Sequence, residues 1–114
     1  MYFFFELSAF SFILIDMIRV GVLRGGISPE YDISLLVGGR VLSSLDKTKF
    51  LPVDILITKD GEWHINGLPL TPEKLKMSVD VIWNALHGHF GEDGKVQQFL
   101  DSIAVPYVGS GALA

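Results

Sequence analysis

Segments with the pattern of a β-strand alternate with segments with the pattern of a helix along this chain. An apolar run, IRVGVL at 18–23, is followed by a glycine loop and then by apolar residues that recur every four positions. Two further strand patterns are FLPVDILIT at 50–58 and VDVIWNAL at 79–86. Strands that alternate with helices predict an α/β fold, in which an open and mostly parallel Rossmann-like sheet carries helices on both faces.

The first predicted helix begins in the sequence SPE at 28–30. These residues suit the N-cap and the first two helical positions, because a serine hydroxyl accepts an unpaired N–H and proline tolerates the first turn. The four-residue spacing extends the helix to about Leu45. Gly38 and Gly39 each weaken it by about 1 kcal/mol relative to alanine, so we expect the helix to pack closely on the sheet there.

Weaker patterns complete the predicted fold. Asp60-Gly61 is a strong hairpin signal, so EWHI at 62–65 is predicted to return as a strand beside 50–58. Thr71-Pro72 is typical of the start of a short helix. The sequence DGKVQQFLDSI predicts a helix capped by Asp93, and VPYVGSG predicts a last strand.

The composition fits one folded domain. Hydrophobic residues make up 49% of the chain and charged residues 19%, which supplies a core and disfavours disorder. The net charge of −4 provides no broad basic surface, so we expect no nucleic-acid partner. The chain contains no cysteine, which excludes a disulfide framework and thiolate metal sites.

Residues 1–16 form an apolar and aromatic N-terminal extension. Glu6 interrupts it, and a membrane-spanning helix needs about 20 apolar residues, so we expect no stable membrane insertion. The basic region of a signal peptide is absent, because the first basic residue is Arg19. We interpret Met17 as a second start and 17–114 as the domain. A peripheral membrane anchor is the alternative for 1–16.

Two glycine-rich loops follow strand patterns, RGGISPE after 18–23 and HGHFGEDG after 79–86. Ligands of open α/β sheets bind at the carboxyl ends of the strands, so we expect both loops to face one crevice. Neither loop matches the dinucleotide fingerprint or the phosphate-binding P-loop. A metal site built from His87, His89, Glu92 and Asp93 is disfavoured, because the two histidines lack helical metal-ligand spacing. We therefore predict no metal site.

The two loops together resemble the N-terminal domain of the D-alanine–D-alanine ligase family. GGISPEYDIS matches that family's GG-x-S-x-E-x-x-[VI]-S element, and ALHGHFGEDG matches its ALHG-x-x-GEDG element. The PYVGSG ending is also similar, and the resemblance spans 17–114 in order and spacing. It implies an ATP-grasp ligase, in which ATP phosphorylates the carboxylate of one D-alanine and the amine of a second attacks the acyl phosphate. The dipeptide product is a cytoplasmic precursor of peptidoglycan.

The resemblance also implies which residues contact the first D-alanine. Glu30 would hold its ammonium group, and His87 would lie beside its carboxylate. Ile33 would line the same pocket, and the backbone of Gly25 and Gly26 would shape it. Purely structural alternatives exist for the two polar residues: Glu30 as a first-turn acid that stabilises the helix dipole, and His87 as a strand-end histidine bonded to the backbone.

The family's ATP and Mg²⁺ sites lie in central and C-terminal domains that have no counterpart in this sequence. The resemblance thus implies that the chain carries part of the D-alanine site, is inactive alone, and corresponds to one region of a homodimeric enzyme. Two alternatives stay open: a non-catalytic interaction domain that pairs with a separate ATP-grasp chain, and a small Rossmann-like domain that binds a nucleotide. The second substrate, whether D-alanine, D-lactate or D-serine, is not determined by this region.

Overall fold

The computed structural model of the protein describes residues 17–88 and 94–109. The N-terminal extension, most of the second glycine loop and residues 110–114 therefore lie outside the described part. The elements in chain order are β1 (Ile18–Gly25), α1 (Tyr31–Ser44), β2 (Phe50–Ile57), β3 (Trp63–Ile65), β4 (Leu68–Pro69), a 3₁₀ helix (Pro72–Met77), β5 (Val81–Asn84), α2 (Lys95–Ser102) and β6 (Tyr107–Gly109).

The described strands form one six-stranded sheet in the order β4-β3-β2-β1-β5-β6. β1 lies at its centre, where Val20 pairs in parallel with Pro52 of β2 on one side and with Val81 of β5 on the other. β6 continues the parallel sheet beyond β5. β3 and β4 are antiparallel and form the opposite edge. The predicted mostly parallel α/β sheet is confirmed.

Each face of the sheet has its own apolar cluster, because successive residues of a strand point to opposite faces. On one face, Val20 and Val22 of β1 are buried beneath Val37 and Val41 of α1. On the other face, Leu23 is buried together with residues of the 3₁₀ helix and α2, including Leu75 and Leu100. Helices therefore cover both faces, as the alternating pattern predicts.

α1 packs closely on β1 at a glycine. A Cβ added to Gly38 would lie 2.6 Å from Arg24 Cβ, whereas one added to Gly39 would approach only Arg24 Nη1, at an ordinary contact distance of 3.5 Å. The close packing expected at this pair of glycines is confirmed at Gly38. The absence of a side chain at that position lets the helix axis approach the strand.

The ends of two helices differ from the prediction. α1 begins at Tyr31 with Glu30 at its N-cap, so the prediction that Ser28 is the N-cap is wrong by two residues. The Ser28 hydroxyl instead accepts the Glu30 N–H at 3.0 Å, which holds a turn that precedes the helix. α2 has Gly94 at its N-cap, where we predicted Asp93, and Asp93 itself lies outside the described residues.

Two tight turns build the antiparallel edge. Asp60-Gly61 turns the chain from β2 into β3, with Gly61 at φ +87° and its N–H donated to the Thr58 carbonyl, so this predicted hairpin is confirmed. A second turn, Asn66-Gly67, joins β3 to β4 with both residues at positive φ. Asn-Gly in such a two-residue loop is a strong hairpin signal that the sequence reading overlooked. Thr71-Pro72 does start a helix, although it is a 3₁₀ helix.

Candidate functional site

The first glycine loop bends sharply where β1 ends. Gly25 and Gly26 have φ of +92° and +98°, a region that side chains rarely adopt. Gly26 N–H donates to the Ile57 carbonyl at 2.7 Å, and a Cβ on Gly25 would lie 2.3 Å from that same oxygen. The loop therefore crosses the end of β2 at a distance that only glycine permits, which brings the following residues back over the sheet.

Ser34 of α1 joins the carboxyl ends of β1 and β5. Its side chain is fully buried, its hydroxyl accepts the Gly25 N–H at 2.9 Å, and the same hydroxyl donates to the Ala85 carbonyl at 2.7 Å. One side chain thus links the start of the first glycine loop to the segment that leads into the second. The start of the second loop therefore lies beside the first loop, as the position of both loops after parallel strands predicts.

Glu30 and the second loop meet across Ser28. A Cβ added to Gly88 would lie 2.1 Å from Ser28 Oγ and 3.9 Å from Glu30 Cδ. Ser28 is buried, whereas Glu30 is exposed. The exposed carboxyl group of Glu30 therefore stands close to the backbone of Gly88, the residue that follows His87.

His87 has hydrogen-bonding capacity that the described residues do not use. The residue is half-buried, and its Nε2 atom is buried with no partner in the described part of the chain. This counts against the interpretation of His87 as a histidine satisfied by the backbone, at least at Nε2. A buried nitrogen without a partner costs free energy unless a ligand or another group bonds to it.

Ile33 lies on α1 near the first loop and is 54% exposed. It is the third residue of α1, two positions after Tyr31. Its predicted role in lining a pocket remains a prediction. Gly25 and Gly26 give the loop that precedes Glu30 its positive φ angles, and their role in shaping a substrate pocket stays a prediction.

Arg24 is committed to a structural ion pair. Its Nε and Nη2 atoms donate to the two carboxylate oxygens of Asp54, both at 2.8 Å, and its Nη1 donates to the Leu35 carbonyl at 3.0 Å. The side-chain hydrogen bond to Asp54 raises the pKa of Arg24 above its ordinary value. Arg24 therefore connects α1 to β1 and β2, and its Nε, Nη1 and Nη2 atoms all donate hydrogen bonds within the fold.

A separate open pocket lies at the antiparallel edge of the sheet. It has a volume of about 230 Å³, and an edge-to-face pair of Trp63 and Phe99 forms part of its wall. Its described lining residues include none from the described parts of the two glycine loops. Among the described residues no group of three His, Cys, Asp or Glu side chains could hold a metal ion; His89, Glu92 and Asp93 lie outside them.

Comparison with known proteins decides the family. A family model described as "D-ala D-ala ligase N-terminus" matches residues 66–110, which include the second loop. A D-alanine–D-alanine ligase of Pseudothermotoga lettingae is 46% identical over 98 residues, an alignment that covers 84% of this chain and 30% of that protein. The chain belongs to the D-alanine–D-alanine ligase family. It corresponds to the N-terminal domain of these ligases.

Solved structures of D-alanine–D-alanine ligases have the same fold. The ligase from Coxiella burnetii superimposes with a TM-score of 0.71 at 26% identity, over 82% of this chain and 35% of that one. The Bacillus anthracis ligase complexed with ATP gives 0.61 at 34% identity, over 79% of this chain and 28% of that one.

The chain matches only part of the length of its relatives. It spans about a third of the curated ligases that it matches first. Its described helices are all too short or too polar to cross a membrane. Ser28 and Ser34 link the first loop to the chain around the start of the second. Their positions in the family motif are visible in the sequence, but their contacts are not.

Proposed function

We propose that this domain binds the first D-alanine of an ATP-dependent D-alanine–D-alanine ligase, with Glu30 and His87 as its two polar contacts. One observation supports this most directly: Gly88, at the start of the second loop, lies against Ser28 of the first loop, so that the Glu30 carboxyl group adjoins Gly88. The two candidate residues thereby share the carboxyl edge of one parallel sheet, where ligands of such folds bind.

The two groups suit the two ends of an amino acid zwitterion. The Glu30 carboxylate can accept charge-assisted hydrogen bonds from an ammonium group. The His87 imidazole, with an unpartnered buried nitrogen, can donate to a carboxylate or stabilise negative charge that develops on it. Held in this way, the D-alanine carboxylate has a fixed orientation for attack on a phosphoryl group.

ATP with Mg²⁺, which the resemblance assigns to the ATP-grasp domains, supplies the phosphoryl group that activates this carboxylate. What this chain's residues do is bind and orient. Glu30 would hold the ammonium group of the first D-alanine and thereby fix the direction in which its carboxylate is presented, and the amine of the second amino acid then attacks the activated carboxyl carbon. The dipeptide would serve peptidoglycan synthesis in the cytoplasm.

The test is a titration of the isotope-labelled chain with D-alanine, followed by amide NMR. We expect weak but saturable shifts at Glu30 and Gly88, because the other walls of the site belong to other domains. Replacement Glu30→Gln should weaken D-alanine binding by about 10-fold or more, since a hydrogen bond to a charged group contributes about 1.5–3 kcal/mol. His87→Asn should also weaken it.

The matched control is Glu62→Gln, because Glu62 is another exposed acid, placed in the β2–β3 hairpin. Its D-alanine affinity should equal that of the wild type. L-alanine serves as the stereochemical control. If Glu30→Gln and Glu62→Gln bind D-alanine equally well, the assignment of Glu30 is wrong. Tight binding of ATP by this chain alone would instead favour a nucleotide-binding domain.

A further inference from the structure

We propose that Ser28 and Gly88 are a positioning pair, which sets the distance between the Glu30 carboxylate and His87 and thereby selects an α-amino acid over a longer zwitterion. Neither residue need touch the substrate. The inference rests on the proposed function, because it concerns the distance between the two polar groups of the same D-alanine site.

Ser28 controls the backbone of Glu30 through two hydrogen bonds. Its hydroxyl accepts the Glu30 N–H at 3.0 Å, and its carbonyl accepts the Tyr31 N–H at 3.2 Å. Ser28 is only 7% exposed, so its hydroxyl is directed into the protein and is engaged by the backbone. The turn that carries Glu30 into α1 is therefore fixed by Ser28.

Gly88 of the other loop lies directly against this turn. It has φ of +82°, and an added Cβ would lie 2.1 Å from Ser28 Oγ and 2.8 Å from Ser28 Cβ. Both distances are far below van der Waals contact. The two segments can therefore approach until the hydroxymethyl group of Ser28 meets the Cα of Gly88, which carries no side chain. His87 is one peptide unit away, about 3.8 Å between Cα atoms. The contact therefore fixes the placement of His87 relative to Glu30.

A fixed spacing between an anion and a hydrogen-bond donor discriminates between zwitterions by length. In D-alanine one carbon separates the ammonium and carboxylate groups, whereas in β-alanine two carbons separate them. A site whose two polar groups are spaced for the shorter molecule cannot bind both the ammonium and the carboxylate group of the longer one unless a loop moves. Widening the gap between the loops should therefore lower the preference for D-alanine.

The experiment compares Gly88→Ala with Gly67→Ala. Gly67 has φ of +86° and no atom within 4 Å of an added Cβ, so its replacement carries the same backbone strain without the contact. We expect Gly88→Ala to displace the Glu30 amide resonance and to weaken D-alanine binding by about 10-fold or more, in view of the sensitivity of bound geometry to displacements of about 1 Å. β-Alanine binding should fall less, so the affinity ratio drops.

A compensating variant separates positioning from simple destabilisation. The double variant Ser28→Gly with Gly88→Ala removes the Cβ and Oγ atoms that collide, so the stability lost in Gly88→Ala should be recovered. It also removes the acceptor of the Glu30 N–H, so the Glu30 resonance and the D-alanine to β-alanine ratio should stay displaced from the wild type. Gly67→Ala should leave both unchanged. If Gly88→Ala does not fold, Ser28→Ala provides the second test, since it removes the acceptor of the Glu30 N–H and should move the same resonance and lower the ratio.

The outcomes distinguish this inference from the proposed function. A wild-type chain that does not bind D-alanine would refute the proposed function and the selectivity with it, while the Glu30 resonance would still report whether the pair positions that residue. A wild-type chain that binds D-alanine, with the Glu30 resonance and the ratio unchanged in Gly88→Ala or Ser28→Ala, would overturn the positioning pair alone.

Discussion

Replacement of Ser34 by alanine tests how the two strand ends are held together. The Ser34 hydroxyl is fully buried and is shared between the Gly25 N–H, at 2.9 Å, and the Ala85 carbonyl, at 2.7 Å. Alanine fits the same space in α1 but provides neither an acceptor nor a donor. The replacement leaves one N–H and one carbonyl without this partner at the carboxyl ends of β1 and β5.

The cost follows from the two orphaned groups. A buried polar group that loses its partner costs about 1–3 kcal/mol, and the carbonyl loses less because it has a second lone pair. Alanine returns about 0.5 kcal/mol through its higher helix propensity. We therefore expect Ser34→Ala to lower the free energy of unfolding by about 2–3 kcal/mol, which is a large fraction of the stability of a small domain.

The assay is urea unfolding at neutral pH, followed by the fluorescence of Trp63 and Trp83. The matched control is Ser43→Ala, because Ser43 lies in the same helix, is exposed, and donates its hydroxyl to the Arg40 carbonyl of that helix. This control should change the free energy of unfolding by no more than about 0.5 kcal/mol. If the two alanine variants lose the same small amount of stability, the Ser34 link does not hold the strand ends.

Two further changes test the packing and the surface charges. Gly38→Ala should destabilise the protein, because its Cβ would lie 2.6 Å from an arginine Cβ, whereas Gly39→Ala should stabilise it by up to about 1 kcal/mol through helix propensity; thermal unfolding that moves both melting temperatures in the same direction would contradict this. The Arg19 side chain holds the pKa of Asp80 below its ordinary value, so this pair stabilises the fold above about pH 4 and loses its effect as the pH falls through the lowered pKa. Asp80→Asn should cost less than about 1 kcal/mol at pH 7, because the pair is exposed, and this difference from the wild type should disappear in unfolding measured near pH 2.

The alternation of patterns predicted the sheet and the location of the site for a definite reason. Parallel strands place all their carboxyl ends at one edge, so the loops after 18–23 and 79–86 had to lie at the same edge of the fold. The order of the strands in the sheet could not be predicted in the same way. Nothing in the apolar pattern of β5 shows that it lies beside β1, and only the pairing of Val20 with Val81 reveals it.

The misplaced start of α1 has a local cause. A serine before proline and glutamate can cap a helix or close a turn, and both arrangements give its hydroxyl an N–H to accept. In the structure Ser28 closes the turn, and its side chain lies directly against Gly88 of the other loop. That contact joins residues far apart in the sequence, so no reading of the local pattern could have found it. The Asn66-Gly67 turn, in contrast, was visible, although prolines at 69 and 72 interrupt the strand pattern that follows it.

The central position of β1 also governs when the candidate site can appear. β1 is synthesised before both of its neighbours, and its pairing with β5 must wait for the intervening chain to be made and for a long loop to close. β1, α1 and β2 can associate early, and they already contain Glu30. The loop that begins at His87 reaches Glu30 only when β5 docks. A nascent chain that has completed only its first three elements therefore has Glu30 but no such site.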